Sequence, residues 1–397
     1  MVERFEYLEK LKQWMNKKII KVITGIRRCG KSTLFEIFQN YLLNNGVETA
    51  QIQHINFENA DFEDLTEYKA LHSHIKKYLL PNKMNYIFLD EVQNVTEFPR
   101  VVDSLYLLKN VDLYITGSNA HMLSGEIATL LSGRYVQLQM LPLSFKEYLS
   151  SFVDKTDISR KYRDYLVNSS FPYTLELEGN KELIRDYLSG IYNTVILKDV
   201  VARKNISDIA LLERVIRFMF DNIGSLTSIK KISDTITSDG CKISNHTVEN
   251  YISALVDSFI LYKVGRFDVK GKQYLKSGDK YYLADVGLRY FLLGSKKADI
   301  GRMLENVVYL ELIRKGYEVY VGKIAAGEVD FVAVKNGNTE YYQVSQTVRP
   351  AETLERELAS LDAISDHNPK YLITLDDDPE MSHNGIKQIN AIDWLLW

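Results

Sequence analysis

A chain of 397 residues exceeds one ordinary core, so two or three domains are expected. Its 46% hydrophobic and 25% charged residues are those of a globular protein, and no apolar run reaches the roughly 18 residues that a membrane span requires. A net charge of −3 excludes an overall polycation, so nucleic-acid contact has to come from a local patch. Two cysteines, Cys29 and Cys241, make neither a disulfide framework nor a metal cluster and fit a reducing, cytoplasmic setting.

The N-terminus carries Phe5, Leu8, Leu11 and Trp14 at helical spacing, with Glu3, Glu6, Glu9 and Lys10 between them. That pattern predicts an amphipathic helix, and its acids break the apolar core a signal peptide would need. Next comes Val22-Ile23-Thr24-Gly25-Ile26-Arg27-Arg28-Cys29-Gly30-Lys31-Ser32-Thr33, which fits G-x-x-x-x-G-K-[ST] between a β-branched run and a helical pattern. Gly25 and Gly30 allow the backbone to wrap an anion, so that N–H groups of the loop and of the new helix face phosphate. Gly25, Arg27, Arg28, Cys29, Gly30, Lys31, Ser32 and Thr33 are the candidate nucleotide-binding set, with ATP and Mg²⁺ as the expected cofactors. Lys31 would reach the β/γ-phosphates and Ser32 would ligate Mg²⁺.

Strands are predicted at Ile19–Thr24, Thr49–Asn56, Tyr86–Leu89, Leu113–Thr116 and Tyr135–Leu141. Helical patterns start at Lys31, run from Phe62 to Leu80 and from Phe98 to Leu108, so the class is α/β with a parallel sheet between helices. In Tyr86-Ile87-Phe88-Leu89-Asp90-Glu91, two acids follow a buried strand about 60 residues after the loop. Asp90 would hold Mg²⁺ and Glu91 would polarise the attacking water; the alternative is a pair of N-cap acids. Asn119, or else Ser118, at the tip of the next strand could touch the γ-phosphate or that water, unless they merely cap a helix. Arg134, just before a strand, is a candidate arginine finger toward a neighbour's nucleotide, with a solvated turn residue as the alternative.

The loop, Phe88-Leu89-Asp90-Glu91, Thr116-Gly117-Ser118-Asn119, Gly133-Arg134-Tyr135 and Pro142-Leu143-Ser144-Phe145 resemble the AAA-type ATPase family widespread in bacteria and archaea. Its members carry a C-terminal domain of unknown function, and the resemblance spans nearly the whole chain. It implies a P-loop ATPase domain over 1–150 and a helical lid or connector over 151–205. It also implies a ring, hexameric by expectation, in which nucleotide lies between head-to-tail subunits.

Beyond residue 205 the pattern changes. Helical stretches near Leu211–Phe220, Ser228–Ile236 and Ser244–Val256, then extended Ile260–Val264 and Lys280–Leu283, predict a winged helix-turn-helix over 206–298. Residues 203–280 hold thirteen basic against nine acidic side chains. Lys242, Asn245, His246 and Asn250 on the third helix and Lys270, Lys272 and Lys276 on the wing are candidate DNA contacts, unless the module only packs on protein. So modest an excess predicts weak, salt-sensitive contact.

From 299 to 397 the order Glu305, Asp330, Gln343 on helix, strand, strand resembles a restriction-endonuclease-like core, in which carboxylates hold Mg²⁺. Gln343 is neutral and Ser345 stands where the resemblance calls for lysine, so this domain is expected to be inactive. The stretch 351–380 is acidic, with nine acids against Arg356 and Lys370. The expected function is an oligomeric, ATP-dependent motor or remodeller on duplex or branched DNA, without membrane attachment. An ATP-gated signalling switch with protein partners and an ATP-dependent DNA nuclease are the alternatives.

Overall fold

The computed structural model describes residues 2–120, 131, 133–198, 200–201, 206–271, 273–294, 299–324 and 327–397. Two compact units divide the chain: Met1–Pro142 with Asp257–Phe259, and Leu143–Val256 with Ile260–Trp397. Among the described residues, no helix is long and apolar enough to cross a membrane.

The first unit is built on five parallel strands: β1 (Ile20–Thr24), β2 (Ile52–Asn56), β3 (Asn85–Asp90), β4 (Val111–Gly117) and β5 (Tyr135–Gln139). Their order is β2-β3-β4-β1-β5. The strand nearest the phosphate loop and the strand carrying Asp90 are thus separated by β4. Every residue of β1, β3 and β4 is buried, as helices on both faces require, and the two charges inside β1 and β4, Lys21 and Asp112, pair with each other. One face packs Ile20, Val22, Ile87, Leu89, Leu113 and Ile115 onto Leu71, Ile75, Val101 and Leu105 of flanking helices. The helical stretch expected from Phe62 to Leu80 is in fact a 3₁₀ segment, Ala60–Leu65, and an α-helix, Tyr68–Lys77. The break falls at Glu67, which starts the α-helix by accepting the Lys69 and Ala70 N–H groups, while Asn59 caps the 3₁₀ segment by accepting that of Asp61. Thr49–Gln51 is likewise a 3₁₀ turn, and β2 begins only at Ile52.

The second unit holds an eight-stranded mixed sheet. Its strands are β6 (Leu261–Asp268), β7 (Gln273–Leu283), β8 (Glu318–Ile324), β9 (Gly327–Lys335), β10 (Asn338–Ser345), β11 (Lys370–Thr374), β12 (Met381–His383) and β13 (Ile386–Asn390). Their order is β12-β13-β11-β10-β9-β8-β6-β7. The hairpin β6–β7 does not stand alone, because β6 pairs in parallel with β8, Arg266 opposite Val321 and Asp268 opposite Lys323. Both hairpin strands are longer than their apolar runs. Register slips between Val264 and Arg266, and Gly278 at φ 81° lies in the excursion, so the alternation that marks a strand is interrupted. Before the hairpin lie helices Ile209–Asp221, Ile229–Ser238 and Asn245–Asp257; Ser228 caps the second by accepting the Lys231 N–H. Helix Ile300–Arg314 packs on the sheet, where Tyr309 stacks on Tyr282 at 4.5 Å.

Candidate nucleotide site

The loop between β1 and helix Lys31–Asn44 lies at the carboxyl edge of the parallel sheet, where α/β folds bind ligands. A Cβ on Gly25 would meet the Met140 carbonyl oxygen at 2.1 Å, so only glycine fits against the chain leaving β5. Gly30 has φ 101°, in the region that favours glycine, and ends the loop as the cap of the helix. Lys31 is 4% exposed, and its Nζ lies 3.1 Å from Glu91 Oε1 and 3.3 Å from the Gly25 carbonyl. Ser32 and Thr33 follow in the first helical turn, both half-buried.

Glu91 follows β3 in a left-handed conformation, φ 54°, which turns its side chain back toward the loop. Its backbone N–H donates to Thr116 Oγ1 at 2.9 Å, and Gln93 Nε2 donates to Oε2 at 2.5 Å. Burial alone would raise the Glu91 carboxyl, but Lys31, together with hydrogen bonds from Gln93, Lys31 and Ser118, outweighs it and holds the group below its ordinary value. Lys31 shows the complement: burial favours losing its proton, and Glu91 more than offsets this, so the ammonium is retained. Asp90 is fully buried; Oδ1 accepts from Thr116, whereas Oδ2 is buried with no hydrogen-bond partner. A buried, unpartnered carboxylate oxygen beside the loop fits a hydrated Mg²⁺.

Ser118 touches Glu91, and Asn119 lies one residue beyond it at the tip of β4. Arg27 is ion-paired with Glu58, and Arg28 is exposed at φ 69°. The Cys29 thiol is buried against the Met140 carbonyl at 3.5 Å, and burial pushes it up, so only its backbone can serve a ligand. Arg134 pairs with Asp103 and lies over the Tyr106 ring at 5.5 Å. It precedes β5, whose first residue is level with Ile20, so it lies at the amino edge of the sheet, about 15 Å of strand away from its own loop. Three participants escaped sequence reasoning: Arg4, Thr116 and Gln93. Arg4 is 2% exposed and donates to the Cys29 carbonyl at 2.8 Å and to the Leu141 carbonyl at 2.6 Å.

A second polar cluster occupies the other unit. Lys280 Nζ, on β7, lies 3.0 Å from Glu305, 2.9 Å from Glu328 and 3.4 Å from Asp330. Tyr282 donates to Glu305 at 2.6 Å, and Asp330 Oδ2 accepts the Val344 N–H at 2.9 Å. Gln343 accepts the Asp330 N–H through its side-chain oxygen and donates to Glu357 at 2.6 Å. Burial and the nearby Glu305 carboxylate push Asp330 up to about 7, with Lys280 opposing them. The sequence pattern links Glu305, Asp330 and Gln343 and contains no lysine; Lys280 supplies a cation from a strand outside that pattern. Among the described residues, no group of three or more His, Cys, Asp or Glu side chains is arranged to hold a metal ion.

Of the candidate DNA contacts, Lys242, His246, Asn250 and Lys270 are exposed, with Asn250 Nδ2 3.2 Å from His246 Nε2. Asn245 is also exposed and accepts from Ser233. Lys272 and the side chain of Lys276 lie outside the described residues.

A phosphate loop, an acidic β3 exit and the strand order define an AAA-type P-loop ATPase domain. The family model of the AAA domain matches residues 17–149, and that of a domain of unknown function (DUF8612) matches residues 159–299. A Walker-type ATPase of Pyrococcus abyssi shares the fold with a TM-score of 0.50 at 15% identity, over 74% of this chain and 96% of its own. An uncharacterized protein of Haemophilus influenzae is 38% identical over all of this chain and 99% of its own length. An uncharacterized protein of Methanocaldococcus jannaschii is 32% identical over 90% of this chain and 82% of its own length. The chain belongs to this family of bacterial and archaeal proteins built around an AAA domain.

Proposed function

We propose that this chain hydrolyses ATP as an oligomer and uses the cycle to grip and remodel DNA. What carries the reading is one buried juxtaposition, Lys31 Nζ 3.1 Å from Glu91 with Asp90 beside it. In this reading Lys31 leaves Glu91 for the phosphates, which frees Glu91 to accept a proton from the attacking water. Ser32 and Asp90 would hold Mg²⁺, which supplies charge neutralisation on the phosphate oxygens when bound. Asn119 and Ser118 orient the water or the γ-phosphate. Arg134, remote from its own loop, serves the nucleotide of a neighbour in a ring, with six subunits as the working number.

Helices 209–221, 229–238 and 245–257 with the β6–β7 hairpin act, on this reading, as a winged helix-turn-helix. Exposed Lys242, His246, Asn250 and Lys270 support a phosphate-contacting role. The remaining strands form a restriction-endonuclease-like domain that grips without cleaving, in keeping with a Gln343 oxygen already spent on the Asp330 N–H. The test is ATP turnover with single-stranded, duplex and forked DNA across protein concentration, with mass measured in parallel. Stimulation of several-fold by DNA that grows with assembly supports the motor. No response to DNA refutes it and leaves an ATP-gated switch.

A further inference from the structure

A phosphate loop works only if its N–H groups face inward, and each peptide plane then turns the carbonyl bonded to that nitrogen outward. An outward carbonyl that is buried needs its own donor. At Cys29 that donor is the Arg4 guanidinium, reaching across 25 residues of sequence to the carbonyl at 2.8 Å. The Cys29 carbonyl and the Gly30 N–H belong to one rigid plane, so holding the oxygen sets the direction of the N–H immediately before Lys31.

The same guanidinium also donates to the Leu141 carbonyl at 2.6 Å, while the Leu141 N–H donates to Tyr7 Oη at 3.0 Å. Both polar groups of Leu141 are therefore held by side chains from the N-terminal segment. Its neighbour Met140 is the residue whose carbonyl crowds Gly25 and accepts from the Cys29 thiol. The loop has left-handed backbone at Arg28, a conformation that a residue with a side chain keeps only where its surroundings fix it. Burial of Arg4 at 2% exposure and its planar, two-ended donation suit that purpose.

We infer that Arg4 is a positioning residue for nucleotide binding: it sets the phosphate loop by clamping the Cys29 and Leu141 carbonyls, without touching the nucleotide. The inference rests on the ATP-site reading above and adds to it a residue that no loop motif contains. The test uses the full chain and ATP with Mg²⁺, by titration calorimetry and steady-state turnover. Arg4→Met is expected to raise Kd and KM for ATP at least tenfold while kcat at saturating ATP stays within threefold. Arg4→Lys, a flexible point donor in place of the planar two-ended fork, falls between Arg4→Met and the unaltered protein. A folded Arg4→Met with unaltered Kd overturns the inference. So does a fall in kcat and melting temperature without a change in KM, the mark of a merely structural role. Where Arg4→Met fails to fold, Arg4→Lys decides: KM raised threefold or more supports the clamp, and KM unaltered overturns it. If the unaltered chain itself takes up no ATP, the nucleotide reading fails first, an outcome distinct from all of these.

Discussion

Glu91→Gln tests the resting ion pair as well as the chemistry. Two unit charges 3.1 Å apart at an effective dielectric constant of about 20 attract by about 5 kcal/mol, most of it offset by their desolvation. On the proposed function, ATP has to detach Lys31 from this partner before the ammonium can reach phosphate. With glutamine in place of glutamate, the Lys31 ammonium keeps a bond to an amide oxygen but loses its counter-charge, and with it the part of the attraction that desolvation leaves over, about 1–1.5 kcal/mol. The difference of about 1–1.5 kcal/mol corresponds to ATP binding about 5–10-fold tighter. Turnover should meanwhile fall by about 10²-fold or more, because an amide cannot accept the water's proton. Calorimetric titration with ATP and a phosphate-release assay read the two effects separately. Affinity that stays the same or weakens refutes the competition for Lys31, and turnover that survives refutes Glu91 as the base.

Three further outcomes are expected. Lys280→Met leaves three carboxylates around a vanished cation and should destabilise the second unit by about 3–5 kcal/mol, read as an early thermal transition; an unaltered melt would show that the cluster contributes nothing. Asp330 is raised from 3.8 to about 7, so the folded chain holds a proton that the unfolded chain has released. Stability should therefore fall as pH rises between about 4 and 7, and Asp330→Asn should flatten that slope in denaturant titrations; an unchanged slope refutes the assignment. Arg134→Ala should leave ATP affinity intact while turnover drops by about 10³-fold at concentrations that support assembly. Full turnover in the assembled state would rule it out as a finger.

Local sequence marks the candidate nucleotide site because its parts are short-range: a glycine-framed loop followed by a helix, and two acids at the end of an apolar strand. The residues it conceals are those whose meaning depends on distant partners. Arg4 reads as one charge on an amphipathic segment until the fold brings Leu141 to it across 137 positions. Thr116 opens the Thr116-Gly117-Ser118-Asn119 motif, but its role shows only once it is found bonded to both Asp90 and Glu91. Lys280 reads as one charge of a basic hairpin, yet it is buried, 25 and 50 positions from Glu305 and Asp330, which it neutralises. The hairpin misled for a related reason: its bulge hid the strand length, and pairing with β8 leaves no trace in alternation.

That pairing has a mechanical corollary. Because β6 runs alongside β8, traction along the hairpin axis strains a row of backbone bonds together in shear, whereas peeling would open them singly. At Gly322, opposite Phe267, a Cβ would come within 2.3 Å of Val329 Cγ1, so β8 packs against β9 only without a side chain there. Tension arriving at the tip near Lys270 would thus pass sideways into β8 and β9 rather than unravel the β-arm.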